Sequence, residues 1–152
     1  MTAARILGVL HPVVVTRDME KALAFYRDLL GFHLRDEVTH DPEILARLGG
    51  PRHAVATATV LVAPDGSEIE IACFTRPAGR DRCDAEWPDA GIRSLTFKVD
   101  NIAGMVRRLA AAGYATAGEV LSLNWEGKAV SVAYVNGPDG VVLTLLEHGP
   151  RT

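Results

Sequence analysis

Hydrophobic and polar positions fall into two rhythms, an alternation of period two and a helical spacing of three and four, and the chain runs through both of them twice. Residues 6–15 are an apolar run ending in Val13-Val14-Val15 and predict a first strand, which Pro12 restricts to an edge. Asp18 is placed to cap a helix whose Ala22, Phe25, Tyr26, Leu29 and Leu30 share one apolar face and whose left-handed stop is Gly31. Strands are expected over 32–38, 54–62 and 68–74. Between the first two of these, Asp41-Pro42-Glu43 opens a short helical insertion over 42–48 that Gly49-Gly50-Pro51 ends, the kind of insertion that covers a pocket.

The pattern then returns. A strand is expected over 91–99. Asp100 or Asn101 caps a helix carrying Ile102, Met105, Val106 and Leu109 as far as Gly113, and strands follow over 116–123, 129–136 and 141–147. Pro64-Asp65-Gly66 before one strand reappears as Pro138-Asp139-Gly140 before another, close to half a chain length later. In each copy proline sets the φ of a turn and Asp-Gly tolerates left-handed geometry, so the chain reverses into the alternating residues that follow. The reading is an α+β chain, residues 1–152 as a single domain of two βαβββ modules. These cover about 6–75 and 91–148, are joined by a Pro-, Gly- and charge-rich connector over 76–90, and build a curved mixed β-sheet around a cavity. Asn124-Trp125-Glu126-Gly127 reads as a loop and 149–152 as a frayed tail.

Composition narrows the function. With 152 residues, 48% of them hydrophobic, there is enough apolar side chain for one real core. The net charge of −3 is spread without a basic stripe, which argues against nucleic acid or an anionic membrane as partner. No apolar run approaches the ~18 residues of a membrane span and the first residues lack an export signal, so a cytoplasmic protein is expected. Cys73 and Cys83 suggest neither a disulfide framework nor a metal motif, and Cys73 reads as a small buried side chain on a strand.

Alternation also sorts the polar residues. Glu68 and Glu70 share a face with Ala72, whereas Ile69 and Ile71 take the other, and His11 goes with Val9 and Val13. An unpaired buried carboxylate costs several kcal/mol, so the glutamates must line the open face and not the layer under the helix. His33, His40, His53 and His148 have no partners at metal-ligand spacing and read as surface residues. Ser94 lacks the strained strand-to-helix turn that activates a nucleophile, Arg93 falls on the opposite face from Ser94, and Glu147 reads as rim unless a one-residue slip turns it inward in place of Thr144.

The His11 strand, the helix with Phe25-Tyr26 and Leu30-Gly31-Phe32, the Gly91-Ile92-Arg93-Ser94 opening and the two Pro-Asp-Gly strands, in this order, resemble the vicinal-oxygen-chelate superfamily of glyoxalases, epimerases, extradiol dioxygenases and bleomycin resistance proteins. The resemblance spans about residues 6–148. It implies a divalent ion held by one ligand from the first and one from the last strand of each module. Carried over, those positions are His11 and Glu70, then Ser94 and Thr144, and two hydroxyls are poor substitutes for imidazole and carboxylate.

Three readings follow from the resemblance. In the first the chain is a metal-independent lyase, isomerase or cyclase-like enzyme. There His11 and Glu70 transfer a proton or orient a small organic substrate, and Glu68, Ser94, Thr96, Trp125, Tyr134 and Thr144 contact it. In the second, His11 and Glu70 hold a divalent metal with water or substrate oxygens as the other ligands, or a homodimer supplies the pair twice. In the third the chain only sequesters a drug or metabolite in an aromatic groove of Trp87, Trp125 and Tyr134, although Trp125 serves equally as a lid over the sheet edge.

Overall fold

The computed structural model of the protein describes residues 4–80, 91–92 and 94–149. Cys83, Trp87 and Arg93, together with most of the expected connector and the last three residues of the tail, lie outside the described residues. The chain divides into two compact units, residues 1–80 and 81–152.

In the first unit β1 (Val13–Thr16), β2 (His33–His40), β3 (Val55–Val62) and β4 (Glu68–Arg76) form a four-stranded sheet in the order β1-β4-β3-β2. β1 runs parallel to β4 and the other pairs are antiparallel. α1 (Met19–Leu23) begins at Asp18, whose carboxylate accepts from the Lys21 backbone N–H, a cap worth about 1 kcal/mol. It continues as a wider π turn over Ala24–Leu29, in which the Leu30 N–H reaches back to the Phe25 carbonyl. The widening lets two adjacent rings, Phe25 and Tyr26, both go inward and meet edge to face at 5.0 Å. Against them the sheet presents Val14, Thr16, Thr59, Leu61, Ile69 and Ile71, all buried. α2 (Pro42–Arg47) is the expected insertion, capped by Asp41.

The second unit repeats the plan. β5 (Ser94–Lys98), β6 (Leu121–Trp125), β7 (Lys128–Asn136) and β8 (Val142–His148) are ordered β5-β8-β7-β6, again with the first pair parallel. α3 (Ile102–Ala111) buries Ile102 and Leu109 over the face that carries Ala133, Val135, Leu143 and Leu145.

Four expectations need correction. Residues 6–10 are not strand: pairing starts where the Glu70 N–H donates to the Pro12 carbonyl, and Ile6, Leu7, Val9 and Leu10 stay exposed. Proline has no N–H to carry the ladder further back. The expected strand 116–123 is broken. Ala115 and Ala117 exchange hydrogen bonds with Asn136 and Tyr134, the chain then leaves the sheet, and β6 resumes at Leu121. Trp125 lies on that strand and not in a loop, because Glu126 and Gly127, both at positive φ, make the reversal in two residues. Finally, β8 runs on to His148, and the Gly149 N–H is bonded to the Ala129 carbonyl.

Candidate functional site

The open face of the first sheet is set by register. Val13 sits beside Glu70 in the parallel pair, so the same face collects Val13 and Val15 from β1, Glu68 and Glu70 from β4, and Val60 and Val62 from β3. His11 precedes the strand yet keeps its alternation. Its Nε2 lies 3.1 Å from Oε2 of Glu70 and its Nδ1 3.6 Å from Oε2 of Glu68. All three side chains are largely enclosed, with 15 to 20% of their surface open to solvent.

With Glu70 ionised the imidazole hydrogen belongs on Nε2, donated to that carboxylate. His11 Nδ1 and Glu68 Oε2 are then two buried acceptors facing each other, and neither has a hydrogen-bond partner among the described residues. The gap between them is one that a single proton, or a donor on a bound molecule, would fill. The other oxygen of Glu68 accepts from Arg35 Nη1. Arg35 was not singled out by the sequence. It is the extra residue of a β-bulge, since the register with β3 slips between Leu34 and Asp36, and the bulge re-aims a strand residue toward the glutamate. The signal was the polar run Arg35-Asp36-Glu37, which breaks the alternation of its strand.

At the equivalent place in the second sheet, Thr144 Oγ1 donates to Ser94 Oγ over 3.2 Å. Thr96 and Tyr134 flank Thr144 on the same face. Trp125 reaches this face from β6 and borders a hollow of about 280 Å3 with Thr96, Lys98, Glu126, Lys128, Leu146 and His148. A larger hollow of about 660 Å3 lies beside α2, lined by Asp41, Pro42, Glu43, Ala46, Arg47, Arg52 and His53, so it borders the expected insertion but none of the candidate catalytic or substrate-binding residues. Glu147 points to the helix side, where its carboxylate accepts from the Ile102 N–H at 2.9 Å. It is neither rim nor a substitute for Thr144 but an anchor for the start of α3.

The donor set bears on a metal. Two strong donors 3.1 Å apart, His11 Nε2 and Glu70 Oε2, match neighbouring corners around an ion, but Glu68 is engaged by Arg35 and the second module offers only two hydroxyls bonded to each other. Among the described residues no three His, Cys, Asp or Glu side chains group around a common point. These residues do not fit a four-ligand centre.

Comparison with known proteins supplies the lineage. In fold the chain is similar to a glyoxalase family protein from Bacillus cereus (26% identity, TM-score 0.86, 99% of each chain covered). It is also similar to a glyoxalase family protein from Enterococcus faecalis (24% identity, TM-score 0.65, 94% of this chain and 98% of that one). A stretch of 40 residues is 48% identical to an iron-dependent extradiol dioxygenase from Rhodococcus jostii (strain RHA1) and spans 26% of this chain but only 13% of that protein. Residues 8–145 match the family described as the Glyoxalase/Bleomycin resistance protein/Dioxygenase superfamily, and the chain, with its two βαβββ modules, belongs to it.

Proposed function

We propose that the chain is a cytoplasmic enzyme of the lyase, isomerase or cyclase type that acts on a small organic molecule without a metal, His11 and Glu70 moving a proton or orienting the substrate. The observation that carries this reading is the 3.1 Å contact of His11 with Glu70, combined with a Nδ1 that is buried and unpartnered beside Glu68. Glu70 holds the ring by Nε2, which leaves Nδ1 to exchange a proton with a bound molecule. Glu68, Ser94, Thr96, Trp125, Tyr134 and Thr144 are the substrate contacts in this reading. The exposed apolar residues 6–10 favour a homodimer, to be checked by light scattering, where a purely monomeric chain would exclude it.

The test is proton exchange. Candidate carbonyl compounds incubated with the protein in D2O are followed by NMR for loss of an acidic C–H. His11→Ala and Glu70→Gln should each slow exchange by about a hundredfold or more, the usual worth of a positioned acid or base. Chelator should change nothing. Exchange that stops on chelation and returns with a divalent ion would overturn the metal-free assignment in favour of the reduced-ligand metal enzyme that the short dioxygenase match suggests. Tight ligand binding with no turnover of any compound that binds would make it a sequestering protein.

A further inference from the structure

We propose that the hollow on the open face of the second sheet binds a small planar carboxylate, the ring lying on Trp125 and the carboxylate held by Lys98 and Lys128. All four strands of the sheet contribute to it. Lys98 comes from β5, Lys128 from β7 and Trp125 from β6, with Leu146 of β8 between them and the Thr96 hydroxyl and His148 imidazole at the border.

Charge selects the ligand. Two ammonium groups meet one carboxylate, that of Glu126, in a chain whose net charge is −3, and neither lysine has a hydrogen-bond or ion-pair partner among the described residues. A locally positive hollow on an acidic protein attracts an anion and repels a cation. Ring recognition comes from the indole. Trp125 leaves 55% of its surface exposed on a strand whose same-face neighbours Leu121 and Leu123 are also half exposed. An aromatic side chain gains by covering its face with another ring. The hollow, at about 280 Å3, lies at the lower end of small-molecule sites and suits one ring with its acid group. This deepens the proposed function by naming a substrate class. It rests on reading Thr96 and Trp125 as substrate contacts and is independent of proton transfer by His11 and Glu70.

The experiment uses the full chain with Trp87→Phe, which leaves Trp125 as the one indole and hence the reporter. Its emission is titrated with benzoate and with the neutral isostere benzamide. Benzoate should quench saturably and bind about tenfold or more tighter than benzamide, a preference that declines with added salt. Lys98→Met and Lys128→Met should each weaken benzoate about fivefold and leave benzamide unmoved, and Lys98→Arg should restore most of the loss. Equal affinity for the two probes, unchanged benzoate affinity in both methionine variants, or no saturable response up to about 50 mM would each overturn the assignment. Benzoate binding is measured in His11→Ala as well. Binding that survives there while exchange activity is lost supports both readings, and binding absent from every variant while exchange persists removes this one alone.

Discussion

Thr144 hydrogen-bonds Ser94 over 3.2 Å at the two positions that in the first module hold Glu70 and His11, 3.1 Å apart. The backbone framework is the same in both places, with the first and last strands of the module paired in parallel and the two side chains on the open face. What differs is the chemistry. One module offers a titratable pair with a charged neighbour, the other two neutral hydroxyls that satisfy each other. The asymmetry therefore lives in side chains and not in the fold, and it is reversible by substitution.

Ser94→His with Thr144→Glu places in the second module the residue types that the first already holds. Imidazole and carboxylate are far better ligands for a divalent transition metal than hydroxyls. The double variant should bind Co2+ or Ni2+ at least about tenfold more tightly than the parent chain by calorimetry. Equal affinities would mean that the hydroxyls are not what limits metal binding.

Arg35 offers a test of positioning in the first module. Its guanidinium, 47% exposed, holds one oxygen of Glu68 while the other faces His11 Nδ1. Removing it by Arg35→Leu should cost less than about 1 kcal/mol of stability, as partly exposed ion pairs do. The imidazole nitrogen resonances of His11, read by long-range 15N NMR, should nevertheless shift, because Glu68 is released. Resonances identical to the parent's would show that Arg35 does not act on His11 at all.

The order of elements was legible because each signal is local. Asp18, Asp41 and Asn101 cap the three helices through short side-chain bonds, and alternation put Glu68 and Glu70 opposite Ile69 and Ile71. The association of His11 with Glu70 was implied by the resemblance to the superfamily, since alternation assigns each residue a face but not a neighbour across strands. What escaped depends on departures from regularity. The Arg35 bulge re-aims one residue by shifting the register, the break after Ala117 delays β6, and the exposed residues 6–10 follow from a ladder that cannot pass Pro12. Glu147 was missed for another reason. Its partner, the Ile102 N–H, is 45 residues away in sequence, and no local pattern announces a contact at that range.

That contact makes α3 sensitive to a strand residue. Asn101 accepts from the Gly104 N–H at 2.8 Å and Glu147 from the Ile102 N–H at 2.9 Å, so two free donors at one helix end are satisfied from two elements. A carboxylate at a helix N-terminus also meets the positive end of the helix dipole. Glu147→Ala and Asn101→Ala should each lower unfolding free energy by about 1 kcal/mol in urea. Because Ile102 is buried under the helix while Asn101 is exposed, the Glu147 substitution should be the larger of the two. A Glu147→Ala variant as stable as the parent would mean that water replaces the carboxylate without loss.

The hairpin that carries Trp125 and Lys128 yields the last prediction. Glu126 at φ 50° and Gly127 at φ 75° both occupy the left-handed region, the requirement of a type I′ turn, whose twist matches that of the flanking strands. Glycine adopts this conformation freely, but glutamate pays for it, whereas asparagine tolerates it through its short polar side chain. Glu126→Asn should therefore stabilise the protein by roughly 0.5 kcal/mol, while Gly127→Ala should destabilise it by about 1 kcal/mol. The same Glu126→Asn variant removes the one carboxylate from the Trp125 hollow, so benzoate should bind it more tightly than the parent. Stability and affinity thus rise together from a single substitution. A gain in stability with weaker benzoate binding would show that Glu126 supports the ligand instead of opposing it.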